Sequence, residues 1–314
     1  MSVGAFLGGA ESALHPRLTA LIAAARALPP VATAIVFPTD ATAVDAAMLA
    51  AKLGLIDPVF YGAAASQSAL MTAYSGERFR WIDTGASPRA AIDAAAAAVA
   101  DAAAGRVALL MKGSLHSDEF LGAVLARDGG LRGASRLTHT FVFDLPKYHK
   151  LLALTDAVVN IAPDLKTKAQ SLTHSIALMA QLGVAAPKVA VIAAVETVHD
   201  TILATVHARA LADWGQAGRF GAAMVEGPLG FDNAISARAA AAKGIKSSVA
   251  GEPDILLVPD LNAGNILYKS FIYIGGGECA GIVHGATVPI VLTSRSDSLF
   301  SRVASCALAR ITLQ

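Results

Sequence analysis

The sequence predicts an α/β protein made of two α/β domains, and three observations support this. Short β-branched, apolar runs alternate with Ala-rich helical stretches along nearly the whole chain, as in βαβ units around parallel sheets. The length of 314 residues gives room for about two domains of ~150 residues each. A Gly-rich, charged stretch, RDGGLRGASR at residues 127–136, interrupts the alternation near its middle and reads as a linker.

In the first half, the strand-like runs are residues 32–39 (ATAIVFPT), 58–62 (PVFYG), 78–84 (RFRWIDT) and 106–114 (RVALLMKGS), with helical stretches at 42–53, 88–104 and 117–126. In the second half they are 139–145 (HTFVFDL), 157–163 (AVVNIAP), 188–196 (KVAVIAAVE), 222–229 (AAMVEGPL) and 254–261 (DILLVPDL). A helix over 166–183 stops at Gly183, with Pro187 beyond it, and Asp200 is placed to cap the helix that ends near Gly218. The last run, VPIVL at 288–292, precedes a terminal helix reading LFSRVASCALARI.

Hydrophobic residues make up 54% of the chain, but much of this is Ala in helical runs, and no apolar stretch approaches the ~18 residues of a membrane span. The opening MSVGAFLGGAESALHPRL lacks a basic n-region and carries Glu11, which argues against a secretory or transit peptide and for the cytoplasm. Cys279 and Cys306 have no CxxC spacing, as expected of buried thiols in a reducing compartment. The net charge is +1 with 25 basic residues spread along the chain, so no footprint for nucleic acid is present. A few converging Lys and Arg side chains still suffice for an anionic small molecule. The 8 histidines lack HExxH or comparable spacing, which argues against a zinc site. Neither a GxSxG elbow nor a GxxxxGK[ST] loop occurs.

In open α/β sheets ligands gather at the carboxyl ends of strands, so residues just after each apolar run are the candidates for chemistry. Met111 is followed by KGSLHSDEF. Lys112 supplies a positive charge, and Gly113 lets backbone N–H groups approach a ligand. Ser114, His116 and Ser117 offer hydrogen bonds just before a helix, whose N-terminus is an anion site. The plainer reading is that Ser117 caps the helix while Asp118 and Glu119 favour its dipole; spacing alone supports both. The last run ends similarly, in Thr293, Ser294 and Arg295, with residues 296–298 placed to cap the terminal helix. Capping needs one such side chain and leaves Arg295 unaccounted for, whereas its planar fork of donors suits a phosphate or a developing oxyanion. VPDLNAGNILYK places Asp260, Asn262, Asn265, Tyr268 and Lys269 after another strand, around a Gly that also reads as a tight turn. EGPLGFDNAIS adds Asp232 and Asn233, for which helix capping is the simpler explanation.

GGGECA at residues 275–280 fits GxGxxA, and Asp297 lies twenty residues beyond Gly277, near the spacing of a dinucleotide fingerprint. Too little chain follows it to build a further βαβ unit of ~30 residues.

MKGSLHSDEFLGAVL, VEGPLGFDNAIS, AAAKGIKSSVAGEPDILLVPDLNAGNILYK and GATVPIVLTSRSDSLFSRVASCALA closely resemble the phosphate acetyltransferase and phosphate butyryltransferase family, in the family's order and from about Thr33 onward. The resemblance implies two α/β domains with an interdomain cleft, like those of the isocitrate and isopropylmalate dehydrogenases. The first would be discontinuous (1–136 and 287–314), and the second (137–286) would form a homodimer. It implies reversible acyl transfer between acyl-CoA and inorganic phosphate, giving acyl phosphate and CoA. CoA is then a substrate, with no permanently bound cofactor and no metal, and with no nucleic acid or membrane as partner.

By the same resemblance, Ser294 and Arg295 match the family's Ser-Arg pair. The Ser would hydrogen-bond the CoA sulfur or the oxyanion, and the Arg would polarise the acyl carbonyl and hold phosphate. Lys243 and Tyr268 fall where the family contacts CoA, with Asn265 beside them, and KGSLHS (Lys112, Ser114, His116, Ser117) matches the phosphate-side loop. Acetyl-specific members place a base carboxylate seven residues after the Ser, where this chain has Ser301. Asp297 is the nearest acid, as a base or as a helix cap. The chain also lacks an Arg near the start of the helix after HS, which leans toward the butyryl-like branch or toward the acetyltransferase module elsewhere fused to a hydratase. No hydratase domain is expected here, because the first strand candidate already lies near Ala32.

Two rivals imply different chemistry. An NAD-dependent dehydrogenase of similar architecture is suggested by the GxGxxA match, yet no closely spaced acidic set stands at a strand end to hold the divalent metal such enzymes use. A non-catalytic protein that binds CoA or acyl phosphates is suggested by Ser301.

Overall fold

A computed structural model describes residues 1–64, 68, 72–294 and 296–314. They form two compact units, Met1–Ser135 with Cys279–Gln314, and Arg136–Glu278. The strands, in chain order, are β1 (Val31–Val36), β2 (Ile56–Gly62), β3 (Arg80–Asp83), β4 (Leu109–Lys112), β5 (Thr138–Asp144), β6 (Leu152–Thr155), β7 (Lys188–Ile192), β8 (Met224–Leu229), β9 (Ile255–Leu257), β10 (Glu278–His284) and β11 (Ile290–Val291). The fold is mixed α/β, as the alternating pattern predicts.

In the first unit the strands lie in the order β3-β2-β1-β4-β11-β10. β1 to β4 and β11 run parallel, while β10 is antiparallel to β11 through Val283 and Ile290. This ladder brings the chain back to the first unit at Cys279, ahead of the expected 287. The helix Leu299–Ile311 is buried from Phe300 onward. Its Ala, Ser and Cys residues let it pack closely on the helices Pro16–Arg26 and Ala41–Lys52. Phe300 stacks on Phe6 at 5.6 Å, which ties down the first of three short helices before β1. Burying a side chain as large as Phe or Leu contributes about 1.5–3 kcal/mol, so this helix is central to the unit's core.

In the second unit the order is β5-β6-β9-β7-β8, parallel except for β5 against β6. Leu172 and Met179 from the helix Leu165–Gln181 and Leu211 from the helix Leu203–Gln216 pack with Val189, Val191, Ile255 and Leu257. A separate aromatic cluster joins Phe141 and Phe143 of β5 to Tyr268 and Phe271 of the helix Leu261–Tyr273.

Three local expectations are corrected. The strand expected at 157–163 is instead β6, several residues earlier. Asp156 Oδ1 accepts the N–H groups of Val158 and Val159, both at 3.0 Å, and this side-chain turn competes with a ladder there. Asp200 does not cap the next helix, which starts at Leu203 after Ile202; Thr205 Oγ1 reaches back from inside it to accept the His199 N–H at 2.9 Å. GGGECA follows the helix Leu261–Tyr273 and leads into β10, the reverse of the strand-to-helix setting that a dinucleotide fingerprint needs. Among the described residues, no helix is long and apolar enough to cross a membrane.

Candidate active site

The parallel pairing of β1, β4 and β11 sets Val36 beside Lys112 and Met111 beside Val291. The loops that leave their carboxyl ends, residues 37–40, 113–116 and 292–298, therefore share one edge of the first unit. Two segments singled out in the sequence, KGSLHS and TSRSDS, are brought together there. Thr293 Oγ1 joins them by donating to the Lys112 carbonyl at 3.1 Å.

Gly113 permits the tight contact between the first two loops. Its N–H donates to the Val36 carbonyl and the Ser114 N–H to the Phe37 carbonyl, both at 2.9 Å, and a Cβ at 113 would overlap the same two carbonyls. The Ser114 hydroxyl donates to the Asp40 carboxylate and accepts the N–H groups of Thr39 at 2.9 Å and Asp40 at 3.2 Å. One donor and two lone pairs are all a Ser hydroxyl has, so Ser114 is fully engaged in holding the 37–40 loop. Lys112 is 5% exposed, and its ammonium donates to the carbonyls of Gly113 at 3.4 Å and Leu115 at 3.2 Å. His116, not Ser117, is the N-cap residue of the helix Ser117–Val124. Its N–H donates to the Glu119 carboxylate at 3.0 Å, and both His116 and Ser117 are exposed.

Ser294 is exposed, with its Oγ 3.0 Å from Ser296 Oγ. A tight turn surrounds it. The Ser294 N–H donates to the Asp297 carboxylate at 2.7 Å, and the Asp297 N–H donates back to the Ser294 carbonyl at 3.2 Å. Asp297 thus closes the turn, and Ser298 caps the terminal helix by accepting the Ser301 N–H at 2.9 Å. Arg295 lies outside the described residues. Ser301 is buried, and its Oγ accepts the Cys279 N–H at 3.2 Å.

The sequence reading missed Arg302. Its side chain is 3% exposed and donates to the carbonyls of Ser294 at 2.7 Å and Asp297 at 3.3 Å. Burial acts to raise the Asp40 carboxyl, but the hydrogen bonds from Ser114 and Ala43 and the charge of Arg302 outweigh it and hold Asp40 below the usual carboxylate range. A cation inside a helix of otherwise small and apolar residues, LFSRVASCALA, was the available signal, since a buried charge needs partners.

The other candidates lie in the second unit. Lys243, at the end of the helix Ala237–Ala242, pairs with Glu196 at 2.5 Å and Asp232 at 3.3 Å. Asn233 donates to the same Glu196 carboxylate. Gly230 is the N-cap of the helix Phe231–Ile235 and no side chain caps it, so Asp232 and Asn233 join this ionic cluster instead of capping. Glu196 was not anticipated. Tyr268 is largely buried and stacks on Phe141 at 4.3 Å; Asn265, one turn earlier, is half-buried. Among the described residues, no group of three or more His, Cys, Asp or Glu side chains is placed to hold a metal ion.

Comparison with known proteins places the chain in a family. Residues 82–310 match the family model described as "Phosphate acetyl/butaryl transferase". A phosphate acetyltransferase of Rhizobium meliloti is 44% identical over 297 residues, 93% of this chain and 92% of the relative. A probable phosphate butyryltransferase of Bacillus subtilis is 47% identical over 201 residues, 64% of this chain and 67% of the relative. The crystal structure of a branched-chain phosphotransacylase from Enterococcus faecalis superposes with a TM-score of 0.75 at 28% identity, covering 89% of this chain and 99% of that one. The chain belongs to the phosphate acetyl/butyryl transferase family.

Proposed function

We propose that the chain catalyses reversible transfer of a short acyl group, acetyl to butyryl, between coenzyme A and inorganic phosphate. The reading is supported above all by the meeting of the KGSLHS and TSRSDS loops at the carboxyl ends of β4 and β11. The CoA thiol loses its proton and attacks the carbonyl of the acyl phosphate, an oxyanion forms, and phosphate leaves as the thioester is made. The reverse direction retraces these steps. A thiol of pKa ~8.5 is mostly protonated at neutral pH, so a nearby proton acceptor raises the reactive fraction.

In this scheme Ser294 hydrogen-bonds the sulfur or the oxyanion, and Arg295 polarises the acyl carbonyl and holds phosphate. Asp297 is the nearest carboxylate to take the thiol proton while it closes the turn. Lys112, Ser114, His116 and Ser117 form the phosphate side, directly or through the loop they hold. Lys243, Asn265 and Tyr268 form the CoA side. Holding both substrates at once raises their effective concentration and requires no covalent enzyme intermediate. Burial pushes the Cys306 thiol up to about 12, which removes it as a nucleophile at neutral pH. CoA is a substrate, and neither a resident cofactor nor a metal enters the scheme.

The finer architecture belongs to the same proposal. It comprises two domains with a cleft between them, in the manner of isocitrate and isopropylmalate dehydrogenases, and a homodimer formed through the second unit. Ile266, Tyr273 and Ile274 are 67%, 68% and 87% exposed. Ile266 and Tyr273 lie seven residues apart, on one helix face, so they offer an apolar surface to a second copy. Cys279 and Cys306, buried and outside any disulfide, fit a reducing cytoplasm.

A coupled assay tests the reaction. Purified protein should release thiol from acetyl-, propionyl- or butyryl-CoA only when phosphate is present. Thiol release from none of the three, or release independent of phosphate, would refute the proposal. Light scattering of the wild type and Ile266→Glu tests the dimer, which the wild type should form and the variant should weaken.

A further inference from the structure

We propose that Arg302 is a positioning residue that keeps both loops of the acyl-transfer site in register, a reading that rests on the reaction proposed above. The carbonyls it grips, those of Ser294 at 2.7 Å and Asp297 at 3.3 Å, flank position 295. One planar group therefore holds the backbone at Ser294, which carries the hydroxyl of the scheme, and at Asp297, which carries the carboxylate. A third guanidinium nitrogen approaches Thr293 Oγ1 at 3.5 Å, and that hydroxyl donates to the Lys112 carbonyl. The same charge acts on Asp40, whose carboxylate receives the Ser114 hydroxyl. A single buried cation thus reaches the turn directly through the Ser294 and Asp297 carbonyls, and the end of β4 through Thr293 and the Lys112 carbonyl.

Packing alone does not account for this side chain. Of the helix positions around it, Val303, Ala304, Cys306 and Ala307 are apolar and buried, and Ser301 and Ser305 are buried hydroxyls. A Met or Leu would fill the site without the desolvation cost of a guanidinium, which an apolar residue of similar volume often replaces without loss of stability. The arrangement also requires the planar fork. Lys would restore a charge near Asp40, but its point-like ammonium cannot span two carbonyls in the same way. A displaced turn would move the Ser294 hydroxyl relative to the acyl carbon, and misplacements of about 1 Å lower rates by about a hundredfold.

The test uses Arg302→Met and Arg302→Lys in the full-length protein, each alone and combined with Ser294→Ala. It reads kcat and KM in phosphate-dependent thiol release, with thermal unfolding followed in parallel. Arg302→Met should lower kcat about a hundredfold while KM for acyl-CoA changes less than about threefold, and Arg302→Lys should recover only part of the loss. In the Ser294→Ala background, Arg302→Met should cost little more, because groups that act as a unit are not additive. Wild-type kcat in folded Arg302→Met, or a loss that multiplies fully with that of Ser294→Ala, would overturn the proposal. If Arg302→Met does not fold, Arg302→Lys decides alone, and wild-type kcat in it overturns the proposal. A wild-type protein without phosphate-dependent thiol release removes the acyl-transfer reading and this inference with it; an active wild type indifferent to Arg302 removes this inference only.

Discussion

Ser294 and Lys243, the residues expected to meet the reacting sulfur and the coenzyme, are held in opposite ways. Around Ser294 the restraints run through the backbone: its N–H is fixed by Asp297, its carbonyl by Arg302, and the preceding Thr293 by the Lys112 carbonyl. Around Lys243 they are side-chain ion pairs to Glu196 and Asp232, all three at least partly exposed. Backbone restraints beside a buried cation give one geometry, as transition-state stabilisation requires. Exposed pairs are screened by water and salt and contribute little to stability, so an incoming anion can redirect Lys243 at small cost. The hydrogen bond from Lys243 that holds the Glu196 carboxyl below its usual range would then be exchanged for one to the ligand.

The largest expected effect lies at the rigid end. Ser294→Ala and Arg295→Gln should each lower kcat by about 10²–10³-fold with little change in thermal unfolding. Steady-state kinetics on folded protein would break the comparison if Ser294→Ala changed KM for CoA and left kcat intact. Next comes Asp297, where two substitutions separate its two jobs. Asn keeps an oxygen that can accept the Ser294 N–H but cannot take a proton, whereas Ala removes both functions. If the carboxylate is the base, Asp297→Asn and Asp297→Ala should both lose about 10²-fold in kcat. Near-wild-type activity in Asp297→Asn alone would leave Asp297 as a turn residue.

At the adaptable end the effects shrink. Lys243→Ala should raise KM for CoA by less than about tenfold and leave kcat unchanged, and the wild-type KM should rise with salt. A large fall in kcat would place Lys243 in the rigid group instead. The smallest effect concerns pH. Asp40 is held below the ordinary carboxyl value of 3.8 in the folded protein. Its contribution to stability is therefore present above that value and is lost as pH falls through the lowered one. Burial pushes His174, bonded to Thr138 Oγ1 at 2.7 Å, below the ordinary imidazole value of 6.5; the unfolded chain takes up that proton first, so stability also falls as pH drops below 6.5. Thermal melts should show a shallower loss below pH 6.5 for His174→Gln and below pH 3.8 for Asp40→Asn.

The same contrast explains what the sequence disclosed. Runs such as LLMK of β4, buried on both faces, read directly as strands, and their order along the chain located the loops of the site. β6 and β10 were hidden. LALT is short and is followed by Val158 and Val159, which look more strand-like but are drawn into a turn by Asp156. ECAGIVH begins with Glu278 and contains Gly281, and three preceding glycines suggested a phosphate-binding loop. The helices before β1 were masked by Gly8, Gly9 and Pro16, although Pro16 occupies a favoured first-turn position. Lys112 and the hydroxyl positions after β4 and β11 stood out because chemistry-bearing residues collect after strands, and the structure brings those two loops together. Arg302 did not stand out, because its role depends on which face of the terminal helix meets the turn. The Glu196–Lys243 pairing spans 47 residues and no local pattern reports it.

One measurement tests the central claim most directly: thiol release from acetyl-, propionyl-, butyryl- and valeryl-CoA, with and without phosphate, for the wild type and Ser294→Ala side by side. Phosphate-dependent release is expected from at least one short donor in the wild type, with its near loss in the variant while folding stays intact. Equal rates in the two proteins, or no phosphate dependence for any donor, would contradict it.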